Sequence, residues 1–205
     1  MAHLPAGQRR ELLIDATVRV LSREGAARTT TRRIAAEAGM PVGALHYCFR
    51  AKDELFGLVV ERLTGELLTA GRTTLTAGAP LAELLRAAVR AVWDVVTADV
   101  GRQMALYELT QLALRTPGLA SVAARQYQGY LDAVADYLNE AAQASGVALG
   151  TDLPVLARWF VTTLDGVMLL YTVDRDADRA LAVLDLLVDA MLPRIAAAGA
   201  PDARS

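Results

Sequence analysis

The 205-residue sequence contains a single cysteine, Cys48. That excludes an intramolecular disulfide framework and a cysteine-built zinc site, and favours a reducing, intracellular setting. Histidine is almost as scarce, with only His3 and His46. No Ser/His/Asp or Cys/His set can be placed in one pocket, no HExxH occurs, and no glycine-rich phosphate loop is present. Aromatic residues make up only 5% of the chain. Strand alternation and Asn-Gly hairpin turns are missing throughout. The opening MAHLPAGQRREL lacks the apolar stretch of a secretory signal. The most hydrophobic later stretch, 161–173, is interrupted by Asp165 and is too short to span a bilayer. The expectation is a cytoplasmic protein with no membrane partner, no metal and no cofactor.

What the chain does have is apolar material, at 54% of residues, which is ample for a core and excludes disorder as the default. Its formal charge of −2 hides an uneven distribution. Residues 1–52 hold nine bases and four acids, a net +5, whereas residues 53–205 hold 12 bases and 19 acids, a net −7. A basic head on an acidic body suits a head that meets a polyanion. Lys52 is the lone lysine; the other 20 bases are arginine.

Helical periodicity recurs from end to end and predicts an all-α fold of about nine helices. The expected spans are approximately 8–24, 32–38, 42–47, 52–75, 81–98, 100–115, 119–144, 153–173 and 176–197. Gly25 and Gly39 serve as stops, Thr30 and Thr31 as hydroxyl caps, and Ala-Gly-Ala-Pro at 77–80 as a break. The natural division is a head at 1–52 and a body at 53–205, with the helix that starts near residue 53 linking them.

Within the head, residues 30–52 read TTRRIAAEAGMPVGALHYCFRAK: two short helices joined by a tight turn at Gly39. Ile34, Ala35, Ala38 and Leu45 form an apolar seam that with Val20, Leu21 and Phe49 makes a small three-helix core. The second short helix could then lie in a DNA major groove. This block, continued as Gly43-x-Leu45-x-Tyr47-x-Phe49-x-x-Lys52-x-x-Leu55, resembles the DNA-binding domain of the TetR family of bacterial transcriptional regulators over residues 9–62.

The resemblance implies roles. Thr31, opening its helix, corresponds to a phosphate-binding position. Arg32 corresponds to one that reaches a base in some relatives. Val42, Gly43 and Ala44 fall on the groove-facing part of the recognition helix, and His46 and Tyr47 on its ring-bearing phosphate or base contacts. Lys52 corresponds to a phosphate anchor. Pro41 stands where Ser or another capping residue is usual, Val42 where a polar or basic residue is common, and Cys48 where His is common. Readout is therefore expected to use thymine-methyl contacts from Val42 and Ala44, with Arg32 and His46 as polar readers. His46 as a brace, Cys48 as packing and Arg33 as a solvated charge remain the plain structural readings.

In the body, Leu156, Phe160 and Val167, with Leu184, Val188 and Met191, follow helical 3-4 spacing and suit helices packed at shallow angles. The resemblance adds a homodimer made by the last two helices and a near-palindromic double-stranded operator. An intramolecular helical hairpin fits the same spacing. Eight of the 11 aromatics lie from Trp93 onward. Trp93, Tyr107, Glu108, Gln111, Tyr127, Trp159 and Asp165 are candidate contacts for a small-molecule effector, the acid within an apolar helix being the most telling. Core packing or interface duty accounts for each ring equally well, and the effector's charge is left open. The leading function is thus a dimeric, ligand-released transcriptional repressor, not an enzyme. The rival is an all-helical enzyme acting through acids such as Glu108 and Asp165.

Overall fold

A computed structural model describes residues 5–149 and 152–196, so His3 and residue 197 lie outside the described residues. Among those described, the chain forms nine α-helices and no strand. They are α1 (Ala6–Glu24), α2 (Thr31–Glu37), α3 (Val42–Cys48), α4 (Lys52–Arg72), α5 (Leu81–Ala98), α6 (Val100–Arg115), α7 (Ala120–Ala144), α8 (Leu153–Asp174) and α9 (Ala177–Ala196). The described helices cluster into two compact units: residues 5–65 with 98–126, and residues 66–97 with 127–149 and 152–196. By this grouping α4 contributes to both units, and α6 groups with the N-terminal helices.

In the first unit, α1 buries one stripe, Leu13, Ile14, Thr17, Val20 and Leu21, and packs against α2, α3 and α6. The Thr17 hydroxyl is satisfied by donating to the Leu13 carbonyl at 2.6 Å. Thr30 starts α2 by accepting the Arg33 N–H at 3.3 Å. Gly39 ends it at φ 65°, with its own N–H on the Ala36 carbonyl at 3.1 Å and that of Met40 on Ala35 at 2.9 Å. This pair of bonds needs a left-handed residue, which glycine adopts without steric cost. The α1–α6 contact depends on a missing side chain. A Cβ on Gly101 would sit 2.5 Å from the Ser22 carbonyl oxygen, so the two backbones approach more closely than any larger residue allows.

The second unit has its own core, which includes Leu84, Leu85, Val89 and Trp93 of α5, Tyr137 and Leu138 of α7, and inward faces of α8 and α9. Tyr137 is buried with its hydroxyl donating to the Leu84 carbonyl at 2.8 Å, a core role. Arg90 pairs with Asp185 at 2.8 Å and Arg86 with Asp189, fastening α5 to α9. The Arg194 guanidinium lies over the Trp159 ring at 5.2 Å.

The residues expected at a dimer seam lie in this single-chain core. Leu184 and Met191 are 0% exposed, and Leu156, Phe160 and Val188 are buried with them, with Val167 packed against the cluster. Within the single chain these side chains pack between α8 and α9 and their neighbours, Val167 remaining half-buried. Helix α8 is also longer than the apolar stretch identified at 161–173. An 18-residue stretch within its 22 residues has a mean hydropathy of 1.4, enough by length and composition to cross a membrane, but Asp165 interrupts it and Leu156, Phe160 and Met168 are core residues.

Candidate nucleic-acid interface and effector site

The recognition helix α3 is anchored from below and bare above. Leu45 and the following Phe49 are buried, while Val42, Gly43 and His46 are exposed, and Tyr47 is 75% exposed. Ala44 and Cys48 are half-buried between them. Thr31 is half-buried and Arg32 exposed at the start of α2. The fold thus puts Val42, Gly43, His46 and Tyr47 on exposed surface of a single helix.

The head's positive charge is less available than its sum suggests. Glu37 accepts from Arg19 at 2.8 Å and from Arg23 at 3.1 Å, and Glu24 from Arg23 at 3.0 Å. Arg33 also pairs with Glu24 while its side chain stays 53% exposed. Hydrogen bonds from Arg19 and Arg23 hold the Glu37 carboxyl below the usual carboxylate range. These pairs tie α1 to α2. Arg32 has no ion-pair partner among the described residues, and Lys52 places its Nζ over the Phe56 ring at 4.7 Å. Burial lowers the Lys52 ammonium from its ordinary 10.5, with Asp53 opposing the shift.

The effector candidates separate into two groups. Tyr107, Glu108 and Gln111 lie on α6 in the first unit; Trp93, Tyr127, Trp159 and Asp165 lie in the second. Glu108 plays a structural part, since its carboxylate accepts the Ala26 N–H at the end of α1 and so caps the short 3₁₀ turn there. Gln111 is exposed and Tyr107 half-buried.

In the second unit two candidates meet directly, the Tyr127 hydroxyl donating to the Asp165 carboxylate at 3.0 Å. Tyr130 adds an edge-on ring 5.6 Å from that of Tyr127. Burial, and then the charge of Asp165, push the Tyr127 phenol far above its ordinary value. The buried Trp93 ring stacks at a tilt on Tyr171, 4.7 Å between centroids. Tyr130, which shares a helical face with Tyr127 by its spacing, and Tyr171 both belong to the C-terminal group of aromatics but are not among the effector candidates. Among the described residues no group of three His, Cys, Asp or Glu side chains gathers as a metal site.

Comparison with known proteins matches two family models. "Bacterial regulatory proteins, tetR family" matches residues 13–59, and "Tetracyclin repressor-like, C-terminal domain" matches residues 79–194. The chain is 28% identical over 187 residues to the HTH-type nicotine-responsive transcriptional repressor HdnoR of Paenarthrobacter nicotinovorans, covering 91% of this chain and 95% of that protein. Among solved structures it is similar to the multidrug binding protein EbrR complexed with imidazole, at 28% identity and a TM-score of 0.66, covering 90% of this chain and 97% of that one. A transcriptional regulator from Rhodococcus sp. Rha1 shares the fold at 21% identity and a TM-score of 0.75, over 89% of this chain and 95% of its own.

Proposed function

Because the chain belongs to the TetR family of bacterial transcriptional regulators, we propose that it is a repressor which binds a near-palindromic operator as a homodimer and is released by a small-molecule effector. The observation that carries the DNA half is α3 itself. It is a seven-residue helix pinned through Leu45 and Phe49, with Val42, Gly43, His46 and Tyr47 exposed. Thr31 and Lys52 hold phosphates in this reading, and Arg32 and His46 read base edges, with thymine methyls meeting Val42 and Ala44. A DNA partner implies residence in the cytoplasm.

The dimer uses a different face from the buried stripe. On α8, Leu169, Leu170 and Val173 are exposed beside the exposed Gly166, and on the adjoining α9 so are Ala182, Val183 and Leu186. Leu170, Val173 and Leu186 are each at least 60% exposed. Apolar surface of that extent on two packed helices is covered by a second copy in this reading, making a four-helix bundle.

For the effector, the Tyr127–Asp165 pair with Trp93 and Trp159, all of the second unit, is the favoured set; Tyr107 and Gln111 belong to α6 of the first unit and are kept apart from it. Glu108, also of α6, has its carboxylate on the Ala26 N–H and serves the first unit's fold in this reading. HdnoR is nicotine-responsive and EbrR has been captured with imidazole and with ethidium, which supports a ligand-responsive body here. The comparisons favour a regulator over the acid-catalysis alternative, since both matching family models describe regulatory proteins.

Mobility-shift titration against DNA upstream of the chain's own gene and against a scrambled duplex tests the proposal. Retardation of the first at far lower protein concentration is the expected result, and equal retardation of both would overturn it.

A further inference from the structure

Consecutive residues on a helix point about 100° apart, so neighbouring side chains serve different surfaces. Arg9 and Arg10, in the first two turns of α1, use this to straddle the C-terminal end of α3. Arg10 is fully engaged. Its guanidinium donates to the Cys48 carbonyl at 2.8 Å and to Glu54 at 2.8 Å, and lies over the Phe49 ring at 4.6 Å. Glu54 in turn accepts the Arg50 N–H at 2.9 Å. One side chain therefore satisfies a carbonyl in the last turn of α3 and fixes the acid that caps the start of α4.

Arg9 is the opposite case. Its guanidinium lies over the Tyr47 ring, 5.2 Å from the centroid, yet it has no ion pair among the described residues. Its Nε is buried with no hydrogen-bond partner. Arg10, Arg19, Arg23 and Arg33 of the same head all have acids. A cation on a ring face keeps its edge donors for an anion, and an arginine fork matches a phosphate. The ring it rests on is the most exposed of the large apolar and aromatic residues in the first unit.

We propose that Arg9 is a phosphate contact from α1, carried to the DNA on the Tyr47 ring, and that Arg10 is the positioning residue that aims α3. Neither residue belongs to the helix-turn-helix motif. The inference rests on the operator-binding reading above. It extends the interface beyond Thr31–Lys52 and assigns opposite duties to two adjacent arginines that carry the same charge.

The test uses full-length protein and fluorescence anisotropy with two duplexes, one selected by the protein from a random pool and one scrambled. Each is titrated across a range of potassium chloride concentrations. Arg9→Gln is expected to weaken binding to both duplexes alike and to flatten the slope of log affinity against log salt by about 0.9 per protomer, one phosphate's worth. Arg10→Gln is expected to leave that slope in place while the selected-to-scrambled ratio falls roughly tenfold. Arg10→Lys keeps the charge, loses the double contact, and should behave as Arg10→Gln does; it serves if the glutamine variant does not fold. Tyr47→Leu should lower the slope by no less than Arg9→Gln, and adding Arg9→Gln to it should lower the slope little further. A slope untouched by Arg9→Gln overturns the phosphate contact, and equal slope changes in the two arginine variants overturn the division of duties. Wild-type protein that fails to distinguish the two duplexes would instead remove the operator reading itself.

Discussion

The Tyr127 hydroxyl donates to the Asp165 carboxylate at 3.0 Å, a half-buried polar link between α7 and α8. Its phenol is raised by burial, then by the Asp165 charge and hydrogen bond. A group whose folded-state pKa lies above its unfolded value contributes stability that is complete below the unfolded value, here the ordinary 10.0, and is lost as pH rises past it. Tyr127→Phe should therefore cost about 1 kcal/mol at pH 8, and the gap in Tm between wild type and variant should narrow above pH 10. A gap that stays constant with pH would contradict this assignment. In effector titrations the same variant should weaken binding if this pair holds the ligand.

Acid should loosen the head. Glu37 is held below the ordinary 4.5 by Arg19 and Arg23, and Glu54 by Arg10 and Arg50. Lowered carboxyl values mean stabilisation that is complete above about pH 4.5 and lost as pH falls through the folded-state values. Glu37→Gln combined with Glu54→Gln should lower the melting temperature at neutral pH and, with that contribution already gone, flatten the acid limb of the stability curve below pH 4.5. Circular dichroism melts between pH 3 and 7 measure it.

The two apolar surfaces of α8 and α9 should respond differently to substitution. Leu170→Asp or Leu186→Asp, on exposed sites, should convert the dimer to monomer in analytical ultracentrifugation with the helical content intact. Leu184→Ala, at a site with no exposed surface, should instead cost about 2–5 kcal/mol of folding stability. Dimers that persist in both aspartate variants would rule out this face as the interface.

Gly101→Ala should disturb the joint between α1 and α6. Its new Cβ would lie 2.5 Å from a backbone oxygen, that of Ser22, which no rotamer change can relieve. A loss of about 1–3 kcal/mol is expected, read by thermal melting. Gly129→Ala meets nothing within 4 Å and is the matched control, with no loss expected.

Much of the fold was legible because it is written locally. The Thr30 cap, the Gly39 stop and the 3.6-residue apolar stripes each concern a few adjacent residues, and they located the helices of the head closely. What was not legible concerns partners. A stripe such as Leu184–Val188–Met191 says that one side of a helix is buried, and says the same whether a second chain or the same chain covers it. Likewise Glu108 reads as a charge on an apolar helix, and only the approach of α6 to the end of α1 reveals that it caps Ala26. The exposed positions of α3 followed from the motif, whereas the setting of Arg9 did not, because its guanidinium rests on a ring 38 positions away in the chain.

Lys52 supplies the chain's only ε-amine, and burial beside Phe56 lowers its affinity for a proton. An amine-selective acylating reagent thus has a single internal target, one made more nucleophilic at mildly alkaline pH, in addition to the terminal amine. A chain digested after such treatment carries its whole internal mass tag on one peptide at the start of α4. The extent of tagging becomes a footprint of whatever covers that spot, obtained without engineering a probe into the protein.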